Sequence, residues 1–145
     1  MIVTFCGRRE VNDEKAVESW LREVIKQLLQ NGEVIFYLGG YGMFDCMAAR
    51  IIQEYKQYAT GIESIFVLPY LNVKIDLSLY DNTMYPLLEN TPSRFAVLKR
   101  NQWMVDEADL IIAYVQHNWG GAAKMLEYAY KRRKKIVTYP NTLQL

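Results

Sequence analysis

Val34-Ile35-Phe36-Tyr37-Leu38-Gly39-Gly40-Tyr41-Gly42-Met43-Phe44-Asp45 runs from an unbroken apolar segment straight into a glycine-rich turn. An apolar run with no polar face reads as a strand buried on both sides. Glycines directly after such a strand let backbone N–H groups approach a phosphate. A helix opening there adds a favourable dipole. The arrangement recurs at Phe5-Cys6-Gly7-Arg8-Arg9 and at His117-Asn118-Trp119-Gly120-Gly121, each directly after a predicted strand. Ligands of open parallel sheets bind at the carboxyl ends of the strands. Three such turns therefore predict one site for an anionic, nucleotide-like ligand.

Working outward, residues 2–6 form the first predicted strand. Asn12 or Asp13 stands where it can cap the next helix. Ala16, Val17, Trp20, Leu21, Val24, Ile25, Leu28 and Leu29 recur there at helical spacing and make one apolar stripe. After the 39–42 turn a second helix is predicted over 45–58 and a third strand over 65–68, closed by Pro69. From 70 to 91 the periodicity fails, and this long stretch reads as a flap over the site or an interface arm. Pro92 opens a helix that runs to Asp106. A strand at 110–115, a helix at 122–133 and a strand at 135–139 complete the chain. This order predicts a single α/β domain over 1–145 with a Rossmann-like, doubly wound, parallel five-stranded sheet. Right-handed crossovers give the strand order 3-2-1-4-5, flanked by helices. The winding then reverses between the first and fourth strands, and the turns after those two flank the crevice.

The bulk numbers agree with a folded enzyme-sized or binding domain. Of 145 residues, 51% are hydrophobic, and the net charge is +1. That balance disfavours a strongly electrostatic nucleic-acid binder. No run of about 18 apolar residues suggests a membrane span. Met1-Ile2-Val3-Thr4-Phe5 has neither the basic leader nor the cleavage site of a signal peptide. A cytoplasmic protein with two reduced thiols, Cys6 and Cys46, is expected. One histidine and no ligand-spaced cysteines predict no metal site. No cofactor is expected. No serine occupies a strand-to-helix turn, which disfavours a serine-histidine triad. Eleven tyrosines suit a stacking cleft and equally a self-associating surface, so a homodimer is expected.

Arginine meets phosphate or carboxylate with a two-pronged contact, which makes Arg8 and Arg9 ligand candidates; a solvated surface pair is the plain alternative. Gly39, Gly40, Tyr41 and Gly42 form the cradle. Asp45 caps the helix that follows or accepts ribose hydroxyls. Val97, Arg100 or Asn101, and Met104 share one helix face with a polar centre. Gly120 and Gly121 open the last long helix, on which Lys124 and Glu127 share a face. Lys124 suits a phosphate. Glu127 suits a sugar hydroxyl or general-base work, or the two make a simple surface pair. Tyr41 or Trp119 offers a ring for a base, and His117 reads as a loop residue. Lys131-Arg132-Arg133-Lys134-Lys135 reads as a solvated helix end rather than a nucleic-acid patch.

Taken together, four motifs resemble the SLOG superfamily, which holds the LOG phosphoribohydrolases, the DprA-type DNA-processing domain and the YpsA-like proteins. They are Gly7-Arg8-Arg9, the turn from Gly39 to Asp45, Arg100-Asn101-Gln102-Trp103-Met104-Val105, and Gly120-Gly121 followed by Glu127. The pattern is most similar to the YpsA-like branch. The resemblance implies a doubly wound, often dimeric fold that binds nucleotides or nucleotide-derived ligands. It also implies that Arg100 and Glu127 would be the catalytic pair if the protein cleaved nucleoside monophosphates, as LOG enzymes do. Ala123 and Lys124 stand where LOG enzymes have glycine and threonine. The favoured expectation is therefore a nucleotide-binding sensor or sequestering protein. The alternative is a nucleoside-monophosphate N-glycosidase or related sugar-transfer enzyme. Single-strand DNA binding ranks third.

Overall fold

The computed structural model describes residues 1–74 and 76–143. Six parallel strands form one sheet: β1 (Ile2–Gly7), β2 (Val34–Leu38), β3 (Ile62–Val67), β4 (Asn82–Met84), β5 (Leu110–Tyr114) and β6 (Lys135–Thr138). Their spatial order is β4-β3-β2-β1-β5-β6. The winding is the expected one, with one strand more. That strand, β4, lies inside the 70–91 segment read as irregular. It pairs with β3 through Ile65↔Asn82, Phe66↔Thr83 and Val67↔Met84. Its residues are short of apolar character, two exposed and one half-buried, so no alternation marks it.

Four helices flank the sheet: α1 (Glu14–Leu29), α2 (Met43–Lys56), α3 (Ala96–Glu107) and α4 (Gly121–Lys131). Two cores result, one per face. Val17, Leu21 and Ile25 of α1 and Met47, Ile51 and Ile52 of α2 pack with Phe36, Leu38, Leu110 and Ile112. Met104 and Val105 of α3 and Met125 and Ala129 of α4 pack with Tyr37, Val67, Ile111 and Ala113. Alternate residues of β5 thus enter opposite cores, as the two-residue repeat of a strand requires. Every β5 residue is buried, which is why the strand reads as continuously apolar.

The edge is fastened by Asp81. Its carboxylate accepts from the Ser64 N–H at 2.8 Å and pairs with Lys56. The Leu79 carbonyl accepts from Gln53 Nε2 at 2.7 Å. Part of the expected flap is therefore tied to the sheet. Asp13 occupies the α1 cap position in a left-handed conformation, but its side chain makes no capping bond.

Candidate functional site

The chain winds outward from β1 in both directions, so the reversal falls between β1 and β5. A cleft of about 810 Å³ opens at the carboxyl ends of these strands. Arg8 and Arg9 enter it from the β1 turn, Tyr41 from the β2 turn, and His117, Trp119, Gly120 and Gly121 from the β5 turn. Arg100, Asn101 and Met104 of α3 line it as well. The three glycine-bearing turns do converge on one rim.

Their glycines have different causes. A Cβ on Gly7 would stand 2.0 Å from the Phe44 ring, so packing of α2 on β1 demands glycine there. Gly42, at φ 89°, would meet the Arg9 backbone at 2.7 Å, and the Met43 N–H donates to the Arg9 carbonyl at 2.8 Å. The β1 and β2 turns are thus stitched together. Gly40 lies at φ 73°. Gly39 would meet Arg100 Nη2 at 3.0 Å and Asp45 Oδ2 at 3.2 Å. Gly120 has φ 92° and faces open space. Gly121 differs from all of these: open space surrounds its Cβ position and its φ lies outside the left-handed region. It begins α4, whose cap provides no side-chain bond. The first N–H groups of any helix lack intrahelical partners.

The floor of the cleft is a buried polar layer in which Asp45 and Arg100 both line the space. Arg100 is 2% exposed. Its Nη1 donates to the Gly39 carbonyl at 3.1 Å and to the Val67 carbonyl at 2.7 Å. Its Nε donates to Asn101 Oδ1 at 2.9 Å. One guanidinium therefore ties α3 to the ends of β2 and β3. Asp45 accepts from the Gly39 N–H at 3.2 Å. Burial pushes its carboxyl up to about 6, against the opposing pull of Arg100 and of the Gly39 and Gly40 N–H groups. Burial likewise lowers the Arg100 guanidinium from its ordinary value, while Asp45 raises it. Desolvation outweighs the attraction between the two.

Aromatic rings stand at both sides. His117 and Trp119 stack with centroids 4.6 Å apart and 10° between planes, and Trp119 is 68% exposed. The Arg100 guanidinium lies 5.4 Å from the Tyr41 ring centre. The Tyr41 and Tyr70 hydroxyls approach to 3.4 Å. Burial first, then the bond to Tyr70, raises the Tyr41 phenol.

Not every expected residue reaches the cleft. Lys124 and Glu127 lie outside its lining. Glu127 is on the exposed side of α4, paired with Lys131 at 3.3 Å. Arg100 and Glu127 are therefore not brought together. Gly39, Gly40 and Gly42 sit in the second layer rather than on the wall. The basic run ends at the start of β6, the edge opposite the cleft. Arg132 pairs there with Asp106 at 2.8 Å, and Lys134 donates to the Asp106 and Ala108 carbonyls. Conversely, Glu10, Tyr70 and His117 line the cleft. The position of Tyr70 just past the carboxyl end of β3 was the available signal for it.

Among the described residues no group of three His, Cys, Asp or Glu side chains could hold a metal ion. Among them, too, no helix is long and apolar enough to cross a membrane.

No protein family and no curated protein matches the sequence. Solved structures do match in shape. DNA processing protein A from Helicobacter pylori, described with a single-stranded DNA binding mode, superposes with a TM-score of 0.71 at 15% identity over 99% of this chain and 67% of that one. TM1055, a structural-genomics target, gives a TM-score of 0.65 at 15% identity over 93% and 71%. The Moco carrier protein of Chlamydomonas reinhardtii gives 0.58 at 19% identity over 94% and 74%. These likenesses show a Rossmann-like α/β fold of the kind that the SLOG-like motifs lead one to expect.

Proposed function

We propose that this chain is a SLOG-type protein, nearest to the YpsA-like branch, that binds a nucleotide or nucleotide-derived ligand as a sensor or sequestering protein. The observation that carries this reading is Gly121. Neither packing nor backbone conformation accounts for a glycine there, whereas close approach of a phosphate to the helix start does. In this reading the phosphate lies over Gly120 and Gly121. Arg8 and Arg9 face it from the neighbouring turn, and a base stacks on Trp119. Arg100 and Asp45 hold the Gly39 turn from the floor of the cleft.

A binding role rather than hydrolysis is supported by Glu127, which is directed away from the cleft into a pair with Lys131. The exposed Phe95, just before α3, and Leu98 in its first turn support a homodimer. Two free thiols suit the reducing cytoplasm. Nucleoside monophosphates titrated into the protein, with the mixture assayed for free base, test the reading. Binding without release is expected. Release of base that Glu127→Gln abolishes would establish the N-glycosidase instead.

One observation favours a second reading. The open His117–Trp119 stack would accept bases of a single strand, because every base has a π-face. A salt-sensitive complex with oligothymidine, tighter than any mononucleotide complex, would establish that role.

A further inference from the structure

The cleft has a three-part order that follows from the strand order. The β2 turn supplies Tyr41, the β1 turn supplies Arg8 and Arg9, and the β5 turn supplies His117 and Trp119. Because β1 lies between β2 and β5, the two arginines lie between two aromatic stations. Neighbouring strands are about 4.8 Å apart, so turns two strands apart stand about 10 Å from each other. That span is too wide for one ring system to stack on both. Each station is already a half-built sandwich. His117 covers one side of Trp119, and Arg100 lies over the Tyr41 ring. Trp119 remains 68% and Tyr41 40% exposed.

Size and charge point the same way. About 810 Å³ is near the upper end of small-molecule sites, roughly 300–1,000 Å³. Arg100 is accompanied by Asp45 within the buried layer, and Glu10 shares the wall with Arg8 and Arg9. The surplus positive charge is therefore small. It suits a phosphate bridge whose oxygens are partly esterified better than an open triphosphate.

Resting on the nucleotide-binding reading above, we infer that the occupant is a dinucleotide-type ligand. It has two flat base-like rings joined through a phosphate diester or diphosphate. One ring lies on Trp119, the other lies on Tyr41, and the bridge runs between them over Gly120 and Gly121, faced by Arg8 and Arg9. Tyr41 is then a specificity-determining residue, because only a ligand with a second ring uses it. The ring, packed against Arg100 at 5.4 Å, is the part of Tyr41 that such a ligand uses.

The test is calorimetric titration of the intact protein with diphosphate-bridged diadenosine and diguanosine, against AMP, ADP, GMP and GDP. At least one bridged compound should bind tenfold or more tighter than its mononucleotides. Tyr41→Ala should reduce that preference to threefold or less, weakening the bridged compound more than its mononucleotides. Tyr41→Phe, which keeps the ring, should retain the preference. Trp119→Ala should weaken both kinds of ligand. Mononucleotides binding as tightly as bridged compounds, or Tyr41→Ala weakening both equally, would overturn this inference and leave nucleotide binding standing. Failure of every compound to bind would overturn both.

Discussion

Arg100 and Asp45 hold one glycine from its two ends. The Gly39 carbonyl accepts from Arg100 Nη1 at 3.1 Å, and the Gly39 N–H donates to Asp45 Oδ2 at 3.2 Å. The pair comes from different helices, α3 and α2, and meets over the end of β2. The consequence is a rigid floor to the cleft, on which the Tyr41 side of the wall depends.

Removing the guanidinium leaves two strand-end carbonyls without their donor and the buried Asp45 carboxyl without its neighbouring positive charge. Arg100→Met should destabilise the protein by about 3–5 kcal/mol, measured by denaturant unfolding. Adding Asp45→Asn should recover part of that loss. Strict additivity of the two changes would contradict a shared network.

Asp45 should leave a mark on stability against pH. Its carboxyl is raised from 3.8 to about 6 when folded. Between those values the folded state keeps a proton that the unfolded chain has lost. The Asp45 contribution to stability therefore falls as pH rises through that window. The stability difference between wild type and Asp45→Asn should decline by about 2–3 kcal/mol from pH 4 to pH 7. Unfolding both proteins across that range checks it, and a flat difference contradicts it.

Two glycines should respond in opposite ways to alanine. At Gly39 the new methyl would press on Arg100 and Asp45, costing about 1–3 kcal/mol. At Gly121 it would enter open space, with stability unchanged or raised by up to about 1 kcal/mol. Nucleotide affinity should nevertheless fall at least tenfold in Gly121→Ala. Undiminished binding there would remove the main support for the phosphate position.

Glu127→Gln tests the other side of the same account. Its partner is Lys131 on the solvent side of α4. An exposed pair of this kind is worth less than about 1 kcal/mol. Ligand affinity should stay within about twofold of wild type, read by the same titration.

The strand order and the meeting of the three turns were legible because buried parallel strands leave long apolar runs. β4 was not, since three largely exposed edge residues carry no such pattern. Glycine spelling was also ambiguous. The sequence has the same letter at Gly7, where Phe44 fills the space, and at Gly121, where nothing does. Only the fold separates packing from vacancy. The Arg100–Asp45 partnership is non-local, so no spacing rule reveals it. Glu127 was misaligned with the cleft for a reason the helix period contains. Met125 and Ala129 define the buried side of α4, and a residue midway between them in sequence points away from it.

Amide chemical-shift mapping locates the anionic ligand on the protein. Titrating a nucleotide into isotopically labelled protein should shift the N–H signals of Arg8, Arg9 and Gly121 and the Trp119 indole. Residues 131–135, at the opposite edge of the sheet, should stay still. Shifts confined to that basic run, or no shifts at all, would contradict the account.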